Sequence, residues 1–389
     1  MTTRSDPTLE RIARRIPIPE PAYERLLARR ERKRRNQRFA AGSMAIVVFV
    51  AAVWLMTGDG LLGRTHRPAS PTGNEDLSWV TRFLSPTDQP PVQDLFEVEA
   101  DHAEYWRMGA LDLYDGENWR STPPDATDGM EMLSAPAILP QPASGPPPNS
   151  ESLNQSFRII SDLADSGLHA LPMAQTAEEI AGPIGEITWD PTRSVASVGG
   201  GLRGGMTYTV RSRIVLPTPE ELDRVDHLAP RMYGRWTELP ADLDPRIEDI
   251  ASRWTADATS DYRKVLAIQQ HFHSRKFAYD MTVDTPIDAD GLIEFLTQTR
   301  AGFCEHYASA MAVMVRTLGL PARVAVGFRP GTLQEDGSYL VQTDDLYSWV
   351  EVLFPGYGWL QFDPTPGPTP NPNAQPGTYL NPATPTGAP

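Results

Sequence analysis

The sequence predicts an α+β protein: a β-rich module, then a helix bearing the chain's one cysteine and a run of strands, all preceded by a single apolar helix. Three observations predict it. From Cys304, the apolar positions Ala308, Met311, Ala312, Val315 and Leu318 recur at three- and four-residue spacing, a helical stripe. Short alternating segments divided by Gly and Pro fill residues 77–216, the pattern of strands. Phe39 to Met56 carries no charge over eighteen residues, enough to cross a bilayer as a helix.

At the amino end, residues 1–38 hold twelve Arg or Lys against five Asp or Glu, with the run Arg29-Arg30-Glu31-Arg32-Lys33-Arg34-Arg35 as the extreme. Basic residues beside an apolar run stay in the cytoplasm, so a single pass is expected, with everything after it exported. A cleaved signal peptide is disfavoured, because the basic region is long and no small-x-small site follows Met56. Nucleic acid is not the expected partner of the basic run, whose ordinary task beside a span is topology and lipid contact. The whole chain has a formal charge of −15, so residues 39–389 carry −22. An acidic exported part argues against holding nucleic acid or another polyanion by charge. One cysteine in 389 residues excludes an intramolecular disulfide.

The expected organisation is a basic cytoplasmic segment (1–38), a transmembrane helix (39–57), a linker (58–76), a β-rich extracytoplasmic module (77–216), a domain containing the cysteine (217–367) and a Pro-rich disordered tail (368–389). Within the module, Tyr105–Leu113, Phe157–Asp162 and Met206–Val215 alternate as strands, while Ala135–Ser150 is so rich in proline that a loop or flexible insert is expected. Its tryptophans are expected in the core rather than on a binding platform.

Pro219 to Phe277 reads as helical, with one stripe at Ile247, Ile250, Ala251 and Trp254 and a second at Val265, Ile268, Gln269 and Phe272, capped by Asp261. His271-x-His273 lacks the i, i+4 spacing that would put two ligands on one helical face, so no metal is expected there. Asp288-x-Asp290-Gly291 resembles part of a calcium loop, but Pro286 occupies the first ligand position, and a solvated acidic loop is expected instead. No cofactor is implied.

Gly302 breaks the chain before Cys304, and Gly319 with Pro321 stops the helix that follows. Val324, Val326 and Phe328 alternate with Arg323, Ala325 and Gly327 as a strand; further strands are expected at Tyr339–Gln342, Ser348–Phe354 and Trp359–Asp363, the last two joined by Pro-Gly-Tyr-Gly. A thiol in the first turn of a helix feels that terminus's partial positive charge, which favours thiolate, the setting of a nucleophile. Free cysteine also packs readily as a small hydrophobe. Position alone leaves both readings open.

Gly302-Phe303-Cys304-Glu305-His306-Tyr307-Ala308, Gly319-Leu320-Pro321-Ala322-Arg323, Trp349-Val350-Glu351-Val352, Gly358-Trp359 and Phe362-Asp363-Pro364-Thr365 stand in one order that resembles the bacterial membrane-anchored transglutaminase-like superfamily. Tyr105-Trp106-Arg107 and Leu113-Tyr114-Asp115-Gly116 with Trp119-Arg120 are similar to the region preceding the core in its membrane-anchored members. The resemblance implies a papain-like core, in which a Cys-bearing helix packs on an antiparallel sheet carrying a His and an Asp. It makes Cys304 the nucleophile and Asp363 the triad carboxylate. The family's histidine falls two residues before the Trp of the sheet motif, and here that position is Tyr347, in Asp345-Leu346-Tyr347-Ser348-Trp349.

An imidazole titrates near neutrality and can take the thiol proton; a phenol with a pKa of about 10 cannot. His306 lies two residues past Cys304, roughly 200° around the helix, and should point away. Two functions therefore stand open. One is a membrane-tethered cysteine acyltransferase or amidohydrolase acting on protein or peptide substrates, impaired or borrowing a base from elsewhere, with Trp349 as a substrate-side wall beside the thiol. The other is a pseudoenzyme, the fold kept as a cell-envelope binding or scaffolding module.

Overall fold

In the computed structural model, residues 92–367 are described, apart from 123–129, 141–146, 148, 165–166, 228–232 and 284. The expected basic segment, transmembrane helix, linker and Pro-rich tail lie outside the described residues. No helix among the described residues is long and apolar enough to cross a membrane.

The Cys304–Thr317 helix forms where the stripe places it, opening directly after Gly302. Leu318 and Gly319 close it, the glycine taking the left-handed conformation that lets the chain reverse. It was expected to bury one stripe, yet Cys304 and every residue from His306 to Arg316 are buried. Strands Ala322–Phe328 and Leu346–Phe354 cover it on one side, and helices Pro245–Trp254 and Asp261–Phe272 pack against it elsewhere. The Asp261–Phe272 helix is capped by Ser260, whose hydroxyl accepts from the Arg263 N–H; Asp261 is its first helical residue, not the expected cap. Either residue type serves at that position, and the β-conformation falls on the serine.

The sheet against the helix has four antiparallel strands in the order Gly358–Phe362, Leu346–Phe354, Ala322–Phe328, Trp106–Leu111. Its last member comes from the amino-terminal half of the chain, pairing Trp106 with Phe328 and Leu111 with Val324. Here Ala322–Phe328 is buried on both faces, rather than half-buried as its alternation suggests. Gly327 makes the pairing possible, since a Cβ there would lie 2.2 Å from the Trp106 carbonyl oxygen.

The second large sheet runs Thr332–Leu333, Tyr339–Gln342, Asp94–Ala100, Ser150–Ile159, Thr207–Val215, Ala177–Ala181, Ala137–Ile138, the last a short strand inside the proline-rich stretch expected to lack one. Its first two strands belong to the carboxy-terminal half, with Val98 opposite Tyr339. Each half of the sequence thus lends strands to the other's sheet. A buried ionic knot adds to the tie: Glu351 accepts from Arg107 at 2.8 Å and from Arg323 at 2.6 Å, while the two guanidiniums also donate to the carbonyls of Thr192, Arg193 and Ser194.

Candidate functional site

Cys304 is the first residue of its helix and is 2% exposed. Burial pushes its thiol up to about 11, against the pull of Ser348, whose hydroxyl and backbone both favour the thiolate. Glu305 and Asp363 add negative charge that works with the burial. Desolvation of a charged sulfur in a closed site is the largest of these effects.

Alternation along Leu346–Phe354 divides its side chains between two environments. Tyr347 and Trp349 lie against the Tyr105 ring, with centroids 5.7 and 4.8 Å away, and Glu351 meets Arg107. Ser348, between them, lies close enough to the thiol for its backbone and hydroxyl to favour the thiolate. Trp349, expected as a substrate-side wall, has no exposed surface.

Asp363 follows the last strand. Its carboxylate receives the Tyr105 hydroxyl on Oδ2 at 2.8 Å, the Thr365 N–H on Oδ1 at 2.9 Å, and the Tyr347 hydroxyl at 3.0 and 3.2 Å from the two oxygens. Burial first, then the charge of Asp363, hold both phenols well above their ordinary range, so each is a donor and neither a base near neutral pH. Arg329 lies over the Tyr347 ring, 5.7 Å from its centroid.

The histidines near the site are occupied elsewhere. His306 is buried, its Nδ1 accepting from the Phe303 N–H at 3.4 Å and its Nε2 donating to the Thr285 carbonyl at 2.7 Å. Burial lowers its pKa, which fits a neutral ring held between two backbone groups. A Cβ at Gly302 would strike that ring at 2.8 Å, so the glycine before the cysteine leaves room for it. His271 stacks on Trp254 at 3.7 Å. His273 donates to the main-chain carbonyl of Asp363 at 2.9 Å, not to its carboxylate.

Sequence reasoning brought Cys304, Tyr347 and Asp363 forward but missed Tyr105, Ser348 and Tyr279. Tyr279 is half exposed on the short strand that pairs with Ala301–Gly302, and its phenol is raised to about 12 by burial first and by the neighbouring thiol next. Strand alternation carried a signal for Ser348; nothing local carried one for Tyr105, 258 residues from its partner. Among the described residues, no group of three or more His, Cys, Asp or Glu is placed to hold a metal ion. A groove of about 590 Å³ opens on the seven-stranded sheet beside Glu99, Asn154, Glu179 and Thr209; none of Cys304, Tyr347 or Asp363 lines it.

Comparison with known proteins agrees with this architecture. Residues 248–364 match the transglutaminase-like superfamily core, and residues 22–219 match the TgpA N-terminal domain. A protein-glutamine gamma-glutamyltransferase of Pseudomonas aeruginosa is 31% identical over 305 residues, which are 75% of this chain and 41% of that protein. Bacillus subtilis YebA is 37% identical over 140 residues, 34% of this chain and 19% of YebA. The chain thus spans well under half the length of either relative. The crystal structure of the periplasmic domain of TgpA from Pseudomonas aeruginosa superposes with a TM-score of 0.53 at 25% identity, covering 75% of this chain and 91% of that domain. The same domain bound to ethylmercury gives the same score and identity over 72% of this chain and 94% of its own. With the TgpA domain model covering half the chain and the core model following it, this protein belongs to the transglutaminase-like superfamily, among the proteins that carry a TgpA N-terminal domain.

Proposed function

We propose that this protein is a membrane-anchored, extracytoplasmic transglutaminase-like pseudoenzyme, a binding or scaffolding module of the cell envelope whose acyl-transfer site is disarmed. The observation that carries the reading is the Tyr347 hydroxyl donating to Asp363, at the position where the family's imidazole would take up that carboxylate. Acyl transfer needs a thiolate to attack an amide carbonyl, a proton for the leaving amine, and a group that moves that proton between them. Here the thiol is closed off and driven to about 11, and the residue at the base position is a phenol held protonated. Loss of a general base lowers a rate by a factor of about 10² to 10⁴.

The apolar run 39–57 after a basic segment supports the anchor, and similarity to a periplasmic domain supports the exported placement. Protein or peptide is the class of partner the fold suits, by analogy with the relative that acts on protein glutamine.

A second reading, slow cysteine acyl transfer or amide hydrolysis on a protein or peptide, is favoured by one observation: Ser348 still favours the thiolate at the helix start. In that chemistry Cys304 Sγ bonds to the amide carbon, the C–N bond breaks and the amine leaves with the thiol's proton; an incoming amine or water then bonds to the thioester carbon, the C–S bond breaks, and the proton it gives up returns to Sγ.

The test is the pH dependence of alkylation in the 389-residue chain, where the single cysteine makes every event report on Cys304. The wild type should react slowly at pH 7, with its rate still rising above pH 9, and Tyr347→His should bring the midpoint down towards neutrality. A wild-type thiol that titrates below pH 7, or wild-type release of ammonia from a glutamine peptide, would overturn the pseudoenzyme reading.

A further inference from the structure

We propose that Tyr105 is the positioning residue for Asp363, so that the amino-terminal half of the chain, not the transglutaminase-like core, completes the site. The proposal rests on the reading that Tyr347 stands at the base position, and it concerns what holds the carboxylate once that residue is changed.

Three donors reach Asp363. Tyr347 straddles both oxygens, at 3.0 and 3.2 Å, and so does little to choose an orientation. Tyr105 takes Oδ2 alone at 2.8 Å, and the Thr365 N–H takes Oδ1 at 2.9 Å. Remove Tyr347 and these two still define the carboxylate plane. The Thr365 amide is part of the segment that carries Asp363, so it moves with it; Tyr105 alone ties the carboxylate to a separate element. That element is rigid. Tyr105 directly precedes the Trp106–Leu111 strand, which is hydrogen-bonded into the core sheet, and the Trp106 indole donates to the Pro330 carbonyl at 3.1 Å. The Tyr105 ring is 4% exposed and is wedged against Trp349 and Tyr347. Its phenol stays protonated across the accessible pH range and therefore always donates.

In a re-armed site Tyr105 would act through Asp363, fixing the oxygen that orients an imidazole and stabilises its cation. A hydrogen bond to a charged group is equivalent to a factor of about 10 to 100.

The experiment has two parts on the 389-residue chain. In a Tyr347→His background, Tyr105→Phe should slow alkylation of Cys304 at pH 7 by about tenfold or more and move the pH midpoint upward. Once Asp363→Asn is also present, Tyr105→Phe should have no further effect on that profile. A Tyr347→His chain that gains reactivity but is indifferent to Tyr105→Phe would overturn the positioning role while leaving the pseudoenzyme reading intact. If Tyr347→His gains no reactivity, it is the reading that Tyr347 stands at the base position that fails, and the second part decides the proposal on its own. In the chain with Tyr347 retained, thermal unfolding of Tyr105→Phe, Asp363→Asn and the double variant should show the double losing clearly less than the sum of the singles. Additive losses would overturn the proposal.

Discussion

Glu351→Gln is the sharpest probe of how the two halves of this chain are joined. The wild-type carboxylate has no exposed surface and answers two guanidiniums, Arg107 and Arg323, which are themselves 2% and 1% exposed. Burial works to raise the Glu351 pKa, but the two arginines outweigh it and hold the group below its ordinary value. Glutamine keeps the shape and removes the charge, leaving two buried cations with carbonyl oxygens and, for Arg323, the Trp359 ring 4.1 Å away as partners. Arg323 is already pulled down to about 10 by burial with Glu351 in place. Breaking a buried pair by removing one partner typically destabilises by about 3–5 kcal/mol, and here two pairs share the lost partner, so the upper end is expected. Urea unfolding at pH 7 should show that loss as a shifted midpoint with little change in slope. Because the folded-state pKa of Glu351 is depressed, its stabilisation is full above the ordinary carboxylate range and fades as pH falls through the lower folded value. The gap between wild type and variant should therefore narrow in acid. A loss below about 1 kcal/mol at pH 7 would refute the assignment of this knot as a principal tie.

Other outcomes follow from the same geometry. Glu104, 3% exposed and 3.6 Å from His102, is raised from 4.5 to about 8, by burial first and then by Glu151 against a backbone hydrogen bond that lowers it. The folded state holds this proton where the unfolded chain releases it, so the stability it contributes is full below about pH 4.5 and declines as pH rises to about 8. Glu104→Gln should flatten that decline, by about 5 kcal/mol at most across the window; parallel pH curves of urea midpoints for the two chains would argue against it. Residues 217–367 produced alone should fail to give a cooperative unfolding transition. The Ala322–Phe328 strand, buried on both faces, would lose its Trp106–Leu111 neighbour and become an exposed apolar edge. A monomeric fragment with native-like hydrogen-exchange protection in that strand would sink the expectation.

Much of the local structure was legible because its causes are local. Cys304 opens its helix after Gly302, Gly319 and Pro321 end it, Tyr339–Gln342 is a strand at the expected residues, and Pro-Gly-Tyr-Gly turns the last hairpin. Each depends on periodicity or backbone preference within about a dozen residues, whereas the placing of Tyr347 at the family's histidine position came from the resemblance. The family motifs likewise brought Cys304 and Asp363 forward, though not the burial that drives the thiol upward.

Only the tertiary structure decided what surrounds those residues. Whether the Cys304 helix buries one face or all of them depends on helices and strands from elsewhere in the chain, which its own pattern does not encode. The strand that completes the core sheet comes from residues 106–111, and the phenol that holds Asp363 rides beside it. The alternation that separates Ser348 from Tyr347 was written in the strand, but that Tyr347 would meet Asp363 was not. Glu351 meets Arg323 on the neighbouring strand of its own half, and Arg107 only because a strand of the other half joins the sheet. Local sequence sets which conformations are cheap; long-range pairing selects among them by the apolar surface it buries and the polar groups it satisfies.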